Sequence, residues 1–432
     1  MLSAEENDLL TRTNPDQPMG QYFRRFWQPA ALTQELPDAD GAPVRVNLMG
    51  EELVAFRDTK GRVGVVDAHC AHRGANLFFG RNEDCGLRCV YHGWKYDVTG
   101  KAVDLPNVPE GAALRDAARI KAYPTREYGG IVWAYLGPAA QTLPEVPSLE
   151  FGRLAPEHRY VTKQYMECNW AQVMEGDLDT SHFSFLHMPA PSVPSNENPD
   201  APADARRLRW IRSDPMPQFS LKEHEVGFVI GGARAAEAGE RYWRMTQFMV
   251  PSHGTGPSTM PGETYFGFTA VPITDESCWI FTYAWNPDRI IGDDERAKIA
   301  RGHGIVNELD EHYVPLRNRS NDFQIDRDEQ KHRSFTGVKG LAEQDAMIQQ
   351  SQGYIVDRTR ENLCATDAAI VRFRRTVMQG AQALAAGDEP RAPWLHEYYQ
   401  TRPGSWFAAE GVSLDDVLLE RFGDSLGRVR MT

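Results

Sequence analysis

The hydrophobic pattern along the chain changes from helical to β and later back to helical. A Ser-x-x-Glu capping box at residues 3–6 predicts a short helix over residues 4–12. From about residue 29 to about residue 137, apolar residues alternate with polar ones or form short runs such as Ile131–Leu136. These patterns predict an N-terminal helical segment followed by a small all-β region.

A second region begins after a stretch rich in Gly and Pro at residues 137–150. A strand is predicted near Tyr160–Met166, and residues 189–205, which contain five prolines, predict a long polar loop. From about residue 292 the pattern becomes helical, and the clearest helix begins at Asp367. Between the loop and the helices, further strands are predicted at 207–212, 219–224, 226–232, 241–250, 264–272 and 278–285.

Strands followed by helices favour an α+β fold, and 432 residues are too many for one ordinary core. We therefore predict a small all-β domain followed by an α+β catalytic domain with an antiparallel sheet flanked by helices. The predicted parts are an N-terminal helical segment over residues 1–25, the all-β domain over 26–140 and the α+β domain over 150–432.

Composition and charge narrow the possible functions. The formal net charge is −13, without a block of like charges, which argues against a nucleic-acid partner and against an anionic membrane surface. The chain lacks an apolar run long enough to span a membrane, and its first residues are acidic, unlike a signal peptide. Six cysteines are too few for a disulfide scaffold, so we expect a cytoplasmic protein.

Four residues in the all-β region form a candidate cluster site, Cys70-x-His72 and Cys89-x-x-His92. Structural zinc is the alternative, but zinc motifs commonly place two or more residues between the ligands of a pair. Each pair here combines one thiolate with one imidazole, so both loops can reach both irons of a [2Fe–2S] cluster. This spacing, with Arg73-Gly74 and Gly93-Trp94 after the pairs, favours a Rieske-type cluster.

A second candidate metal site is the pair His182 and His187. A spacing of five is poor for one metal on a regular helix, and such pairs are often structural, but a turn could bring the rings together. Asp179, three residues before His182, could accept the second ring N–H of a ligating imidazole. Two histidines and a distant carboxylate would form the 2-His-1-carboxylate arrangement of non-haem Fe(II) oxygenases.

These motifs resemble the α subunits of Rieske non-haem iron oxygenases, the ring-hydroxylating dioxygenases and aromatic O-demethylases. The resemblance spans nearly the whole chain and includes Asn169-Trp170, the block Glu175–His187 and the stretch Gln344–Gly353. It is strongest to the branch typified by phthalate 4,5-dioxygenase. The resemblance implies a Rieske [2Fe–2S] cluster and a mononuclear Fe(II) as cofactors.

The family resemblance also implies roles for particular residues. The third iron ligand is expected to be an aspartate of the helical part, for which we choose Asp345 over Asp357 and Asp367. Asp179 is expected to connect His182 with a cluster histidine, chosen as His92, across a subunit boundary. We also assign Asn169 and Glu175 to the catalytic site, although Glu175 stands where some relatives carry Asn.

The implied reaction uses O₂ and electrons from a reductase that carries flavin and a [2Fe–2S] cluster. The expected outcome is cis-dihydroxylation of an aromatic compound, and O-demethylation with the same iron residues is the alternative. The expected assembly is a homotrimer or a hexamer. Two remote alternatives are a Rieske electron carrier and a zinc-stabilised binding protein, neither of which needs the second iron site.

Arginines of the predicted strands suggest the substrate class. We predict that Arg207 (or Arg209) and Arg244 bind an aromatic carboxylate, because a guanidinium can hold a carboxylate with two hydrogen bonds. Each of them could equally be an ordinary surface arginine.

Overall fold

The computed structural model describes residues 1–139, 141–194, 203–237, 239–256, 260, 262–424 and 426–429. The α-helices are α1 Ala4–Thr11, α2 Pro18–Phe23, α3 Leu114–Ala117, α4 Glu150–Arg153, α5 Trp170–Leu178, α6 Ala203–Ser213, α7 Asp293–Ala300, α8 Arg327–His332, α9 Leu341–Ser351, α10 Ala368–Ala385 and α11 Leu414–Phe422.

The strands of the N-terminal part are β1 Trp27–Leu32, β2 Val44–Leu48, β3 Glu51–Arg57, β4 Val63–Asp67, β5 Arg81–Glu83, β6 Gly86–Arg88, β7 Lys95–Tyr96, β8 Ala102–Asp104, β9 Ala122–Tyr123, β10 Thr125–Tyr128 and β11 Ile131–Tyr135. Those of the C-terminal part are β12 Arg159–Met166, β13 Gln218–His224, β14 Gly227–Ala235, β15 Glu240–Met249, β16 His253–Thr255, β17 Tyr265–Thr274, β18 Ser277–Trp285 and β19 Gly404–Ala409.

The N-terminal β region forms small antiparallel sheets ordered β1-β11-β10, β2-β3-β4-β9 and β5-β6-β7-β8. The last two enclose a core of their own around Phe56, Leu77 and Tyr96, and both Cys70 and Cys89 belong to it. A small sheet with ligands on connecting loops holds them firmly, because the strands beside each loop are fixed by their ladders. The predicted all-β character of this part is confirmed.

The C-terminal part is built on one antiparallel sheet ordered β12-β18-β17-β16-β15-β14-β13, with β19 also paired to β15. Most residues of β14, β15, β17 and β18 are buried, and in β15 they include the polar residues Arg244, Thr246 and Gln247. Helices α5 and α9 contact each other, and α5 also contacts β16 and β17. The predicted antiparallel sheet with helices is therefore confirmed.

Two predictions of secondary structure are wrong. Residues 207–212 lie in α6 and not in a strand, and Trp210 and Ile211 are buried on this helix, which contacts β14. Residues 404–409 form β19 within a region predicted as helical, where pairing with β15 overrides the local pattern. Of the predicted loop over 189–205, residues 195–202 lie outside the described residues, and residues 203–205 begin helix α6 instead of extending the loop.

The two parts of the chain share their largest apolar core. Helix α1 begins with the predicted capping box, and α1 and α2 pack against α10 near the other end of the chain. The N–H of Met49 donates to the carbonyl of Pro272 at 2.8 Å, which joins the turn after β2 to β17. No helix among the described residues is long and apolar enough to cross a membrane.

Candidate functional site

The two cluster loops repeat the same backbone arrangement. The N–H of Gly74 donates to the carbonyl of Cys70 at 2.9 Å, and the N–H of Gly93 donates to that of Cys89 at 3.0 Å. Both glycines have positive φ, +69° and +78°, which a side chain would strain. These tight turns direct each cysteine and the histidine after it toward the same tip of the sheet.

The side chains at this tip fit a cluster with two thiolates and two imidazoles. Cys70 and Cys89 are almost fully buried, and Cys70 Sγ lies 3.2 Å from the Tyr96 hydroxyl. The rings of His72 and His92 meet with centroids 4.5 Å apart. His72 Nδ1 is buried without a hydrogen-bond partner among the described residues, as expected of a nitrogen kept for a metal.

Neighbouring groups hold the cluster histidines in place. The ring of Trp94 stacks on His72, with centroids 4.8 Å apart, and its Nε1–H donates to Asn107 Oδ1 at 2.7 Å. Asn107 belongs to the loop after β8, so this third loop supports the other two. Contacts of this kind would fix the orientation of an imidazole that binds a metal.

The second site gathers His182, His187 and Asp345. His182 Nε2 lies 3.1 Å from His187 Nε2, and Asp345 Oδ1 lies 3.6 Å and 3.2 Å from these nitrogens. One ligand atom from each residue lies within 4.8 Å of the others. A helix, a turn and a distant helix therefore present two nitrogens and one oxygen to a single point.

The unfavourable spacing of five is resolved by the end of helix α5. This helix ends at Leu178, and a short 3₁₀ turn begins at His182, so the two histidines are not on one regular helix. This turn brings His187 back toward His182, so the two rings meet through a turn, as the sequence analysis allowed. Asp345 comes from the first half of α9.

The far nitrogen of each site histidine has an acceptor nearby. His187 Nδ1 lies 2.8 Å from Gln344 Oε1, and Gln344 Nε2 in turn donates to the Val338 carbonyl at 2.8 Å. His182 Nδ1 lies 3.7 Å from Asp179 Oδ2. These acceptors favour the tautomers in which both Nε2 lone pairs face the common point.

Asp179 is ionised at neutral pH. Burial opposes its ionisation, but hydrogen bonds and charge from His182, with hydrogen bonds from Ser181, outweigh burial and hold the pKa of Asp179 at about 2. Its side chain keeps 23% exposure, so one face of this carboxylate is open at the protein surface.

A cavity of about 700 Å³, including its open mouth, adjoins the His182/Asp345 pair. Its walls are largely apolar, and Met166, Val173, Phe268 and Ile280 contribute to them. Arg244 also lines this cavity, with its guanidinium carbon 3.6 Å from the ring centroid of Phe183. Burial lowers the pKa of Arg244 to about 9, which leaves it cationic at neutral pH.

A second carboxyl, Asp177, lies in the cavity wall. Burial, and then the charge of Asp345, raise the pKa of Asp177 to about 7, while Arg244 lowers it. Its Oδ2 atom is buried without a partner in the described part of the chain. The sequence did not single out this residue, because a lone acidic residue before the histidine pair carries no signal of burial.

Asn169 and Glu175, which we assigned to the catalytic site, have structural contacts. Asn169 caps α5 by accepting from the Ala171 N–H, and its amide donates to the carbonyls of Thr11 and Asp275. Glu175 is buried between Arg358 and Arg374, at 2.8 Å and 2.6 Å. Neither lines the cavity among the described residues, so a catalytic role for them stays a prediction that their contacts do not support.

The arginines differ in position from the prediction. Arg207 lies on α6 and not on a strand, and its Nη1 is 3.2 Å from Glu263 Oε2. Arg209, on the same helix, is paired with Glu237. Of the predicted arginines, Arg244 is the one that lines the cavity in the described part of the chain.

The two weaker aspartate candidates are helix caps. Asp357 Oδ1 accepts from Thr359, and Asp367 Oδ2 accepts from the N–H of Cys364. Asp345, by contrast, lies with the two histidines. Gln344, which orients His187, was quoted only as part of a motif, because a glutamine beside a ligand cannot be recognised from one sequence.

Two thiolate–imidazole loops and a separate histidine–carboxylate site in one chain define the class of Rieske non-haem iron oxygenases. Comparison with known families agrees. The family described as Rieske [2Fe-2S] domain matches residues 26–124, and the family described as LigXa C-terminal domain like matches residues 134–393.

Individual proteins are similar over most of their length. The chain is 39% identical to the phthalate 4,5-dioxygenase oxygenase subunit of Pseudomonas putida, over 90% of this chain and 88% of that protein. It is 34% identical to the 3-chlorobenzoate-3,4-dioxygenase oxygenase subunit of Comamonas testosteroni, over 98% and 99%. A crystal structure of dicamba monooxygenase bound to dicamba is similar in fold, with a TM-score of 0.59 at 18% identity over 84% of this chain and 98% of that chain.

The chain therefore belongs to the family of Rieske oxygenase subunits with a LigXa-like catalytic domain. Its cofactors are a Rieske [2Fe–2S] cluster and a mononuclear non-haem iron, and it works with O₂ and a reductase partner. The residues at both sites, described above, have the donor atoms that these groups require.

Proposed function

We propose that this protein oxidises an aromatic carboxylate with O₂ and reductase-supplied electrons, by cis-dihydroxylation. The observation that carries this proposal is a buried cation, Arg244, in a largely apolar cavity that also contains His182 and Asp345. An apolar cavity excludes water from an aromatic ring, and a buried guanidinium attracts a carboxylate strongly because little solvent screens the charge. The relatives named for phthalate and 3-chlorobenzoate support an aromatic acid.

We propose that His182, His187 and Asp345 hold the iron, and that the four residues of the two cluster loops hold the [2Fe–2S] group. Three protein ligands on one face leave room for O₂ and for substrate beside it. When bound, the iron activates O₂, while the cluster supplies electrons that reach it from a reductase carrying flavin and a [2Fe–2S] cluster. Gln344 keeps the His187 ring fixed throughout.

Substrate orientation is assigned to the arginines. Arg244 stacks on Phe183, whose ring in turn meets those of His182 and His187, with centroids 4.4 Å and 4.8 Å apart. A carboxylate bound to Arg244 would therefore keep the attached ring close to the three proposed ligands. The positive charge of Arg207 acts on Arg244, since it adds to the effect of burial in lowering the pKa of Arg244. We propose that Arg207 breaks its ion pair with Glu263 and also binds the substrate carboxylate.

The proposed assembly is a homotrimer, or a hexamer of two trimers. In it, the partly exposed Asp179 meets a cluster histidine, proposed as His92, of a neighbouring subunit. Support comes from exposed apolar residues beside the cluster histidines, Val90 and Tyr91, which are 59% and 55% exposed in the single chain.

The experiment is oxygen uptake by the purified holoenzyme with a compatible reductase and a panel of phthalates, benzoates and methoxybenzoates. Product analysis should find cis-diols that carry both atoms of labelled O₂, because two electrons and two protons balance the addition of both oxygens to the ring. Formaldehyde with a phenol would instead identify O-demethylation. Uptake with none of these acids would remove the proposed substrate class.

A further inference from the structure

The cavity has a second polar feature, the side chain of Asn307. This residue is 1% exposed, and it lines the cavity together with Ile305. Neither its Nδ2 nor its Oδ1 has a hydrogen-bond partner among the described residues. A buried amide with both functions unpaired is costly, so a group that enters the cavity is expected to satisfy it.

Asn307 is held rigidly in place by its backbone. Its N–H donates to Gln164 Oε1 at 2.9 Å, and Gln164 Nε2 donates to the Ile305 carbonyl at 3.2 Å. Gln164 is itself 3% exposed and belongs to strand β12. The Gln164 amide is bonded to the backbone of residues 305 and 307 and not to the Asn307 side chain. The Asn307 carboxamide is therefore available to a group in the cavity.

The strand order separates Asn307 from Arg244. Gln164 lies on β12 and Arg244 on β15, and three strands, β18, β17 and β16, lie between them. Four strand spacings amount to about 19 Å across the sheet, and the pairing register adds an offset along the strands between Gln164 and Arg244. Side chains that reach inward from both ends would therefore contact opposite sides of a substituted ring and not the same group.

We infer that Asn307 binds a second substituent of the substrate, at the side of the ring away from the carboxylate. This inference rests on the proposed function. The carboxamide offers N–H donors and a carbonyl acceptor, so it matches a substituent that can both accept and donate, of which a hydroxyl group is the smallest. The substrate class is then an aromatic acid that carries a ring hydroxyl, and Asn307 is a specificity-determining residue.

The test compares matched pairs of ligands, 3-hydroxybenzoate with 3-methylbenzoate and 4-hydroxybenzoate with 4-methylbenzoate. Hydroxyl and methyl groups have similar size, so the ratio of kcat/KM within a pair reports the hydrogen bond. The wild-type holoenzyme should prefer the hydroxyl member of one pair by about 10- to 100-fold. Asn307→Leu should reduce that ratio to about 1, or below it.

Two further variants keep the test decisive. Glu311→Gln alters an exposed position four residues after Asn307 and outside the cavity lining, and it should leave the ratio unchanged. Asn307→Ala removes both the donor and the acceptor, so it should also lose the preference if Asn307→Leu fails to fold.

The outcomes separate this inference from the proposed function. Oxygen uptake with none of the aromatic acids would overturn the proposed function. Uptake with the same hydroxyl-to-methyl ratio in the wild type and in either Asn307 variant would overturn the inference alone, and would mean that water satisfies the amide.

Discussion

At the scale of single residues, the site depends on polar side chains whose neighbours restrict them. Arg244 is buried, yet its stacking on Phe183 retains a charge–ring attraction that partly replaces hydration. The Gln344 amide is bonded at both ends, to His187 Nδ1 and to the Val338 carbonyl. These two bonds restrict rotation of the Gln344 side chain and of the His187 ring. Such pairs fix orientation, which is what both metal binding and substrate binding require.

Replacing Arg244 should affect substrate binding and not the metal sites. Arg244→Gln removes the buried charge, and we expect KM for an aromatic carboxylate to rise by about 30- to 5,000-fold, the range for a lost buried charge pair. Arg207→Gln should raise KM by a smaller factor, because this residue must first leave Glu263.

Arg209→Gln is the matched control, since Arg209 lies on the same helix and is paired with Glu237. Steady-state kinetics and the visible spectrum of the cluster check the prediction. Equal KM values in all three variants and the wild type would contradict it.

Replacing Gln344 should weaken the iron site without touching the ligands. Gln344→Met keeps the length of the side chain and removes the acceptor for His187 Nδ1. We expect iron affinity to fall by about 10- to 100-fold, as for other lost partners of ligating histidines. Iron content after dialysis against a chelator measures this, and Gln352→Met, at the end of the same helix, is the control.

At the scale of elements, a buried ion network connects the helix before the histidines to the C-terminal part. Glu175 on α5 accepts from Arg358 and from Arg374 of α10, and Arg374 also pairs with Glu361. Removal of one partner from such a network destabilises the folded protein, because the remaining buried charges are left unpaired. It therefore positions the helix end from which the His182 turn begins.

Glu175→Gln should lower the free energy of unfolding by about 3–5 kcal/mol at neutral pH. Burial alone would raise the pKa of Glu175, but the charges and hydrogen bonds of Arg358 and Arg374 outweigh it and lower the pKa below 4.5. Because this pKa is lower in the folded state than in the unfolded state, the contribution is present above about pH 4.5 and is lost as the pH falls through the folded value.

Denaturant unfolding at several pH values checks both statements. The variant should be less stable at neutral pH and should lose less stability than the wild type on acidification. Glu361→Gln is the control, because its carboxylate is more exposed and contacts only Arg374 of the two arginines. A Glu175 variant as stable as the wild type at neutral pH would be inconsistent with the network.

At the scale of the whole molecule, the two parts of the chain are packed into one body. The turn after β2 bonds to β17, and residues of both parts belong to the same apolar core. The two cluster loops therefore have a fixed position relative to the proposed iron site of their own chain. In the proposed trimer, however, the cluster would pass electrons to the iron site of a neighbouring subunit. This difference can be measured.

Coexpression of two defective chains distinguishes these routes. A Cys70→Ser chain lacks a complete cluster site, and an Asp345→Asn chain lacks an iron ligand. If electrons cross between subunits, mixed trimers should regain roughly a quarter of the wild-type activity by random association. If electrons are transferred only within a chain, the mixture should be as inactive as each variant alone. Each variant expressed alone is the control. Oxygen uptake by the purified mixture provides the measurement.

The chemistry of both metal sites could be predicted from the sequence by itself. The spacing of Cys70, His72, Cys89 and His92 is local, since each pair is held by one tight turn that depends on its own glycine. The alternation of strands and the order of strands before helices likewise depend on local preference and burial, and they predicted the fold class. The prediction of a strand over residues 207–212 was wrong, because a strand and a short helix can have the same pattern of polar residues.

Only the tertiary structure decided which distant groups meet. Asp345 joins His182 and His187, while Asp357 and Asp367 cap helices, and the three are alike as isolated aspartates. It also gave Glu175 and Asn169 structural contacts, and placed Arg244 and Asn307 in the wall of one cavity. The physical reason is that burial and long-range contact depend on how elements pack, and a side chain's role follows from its surroundings.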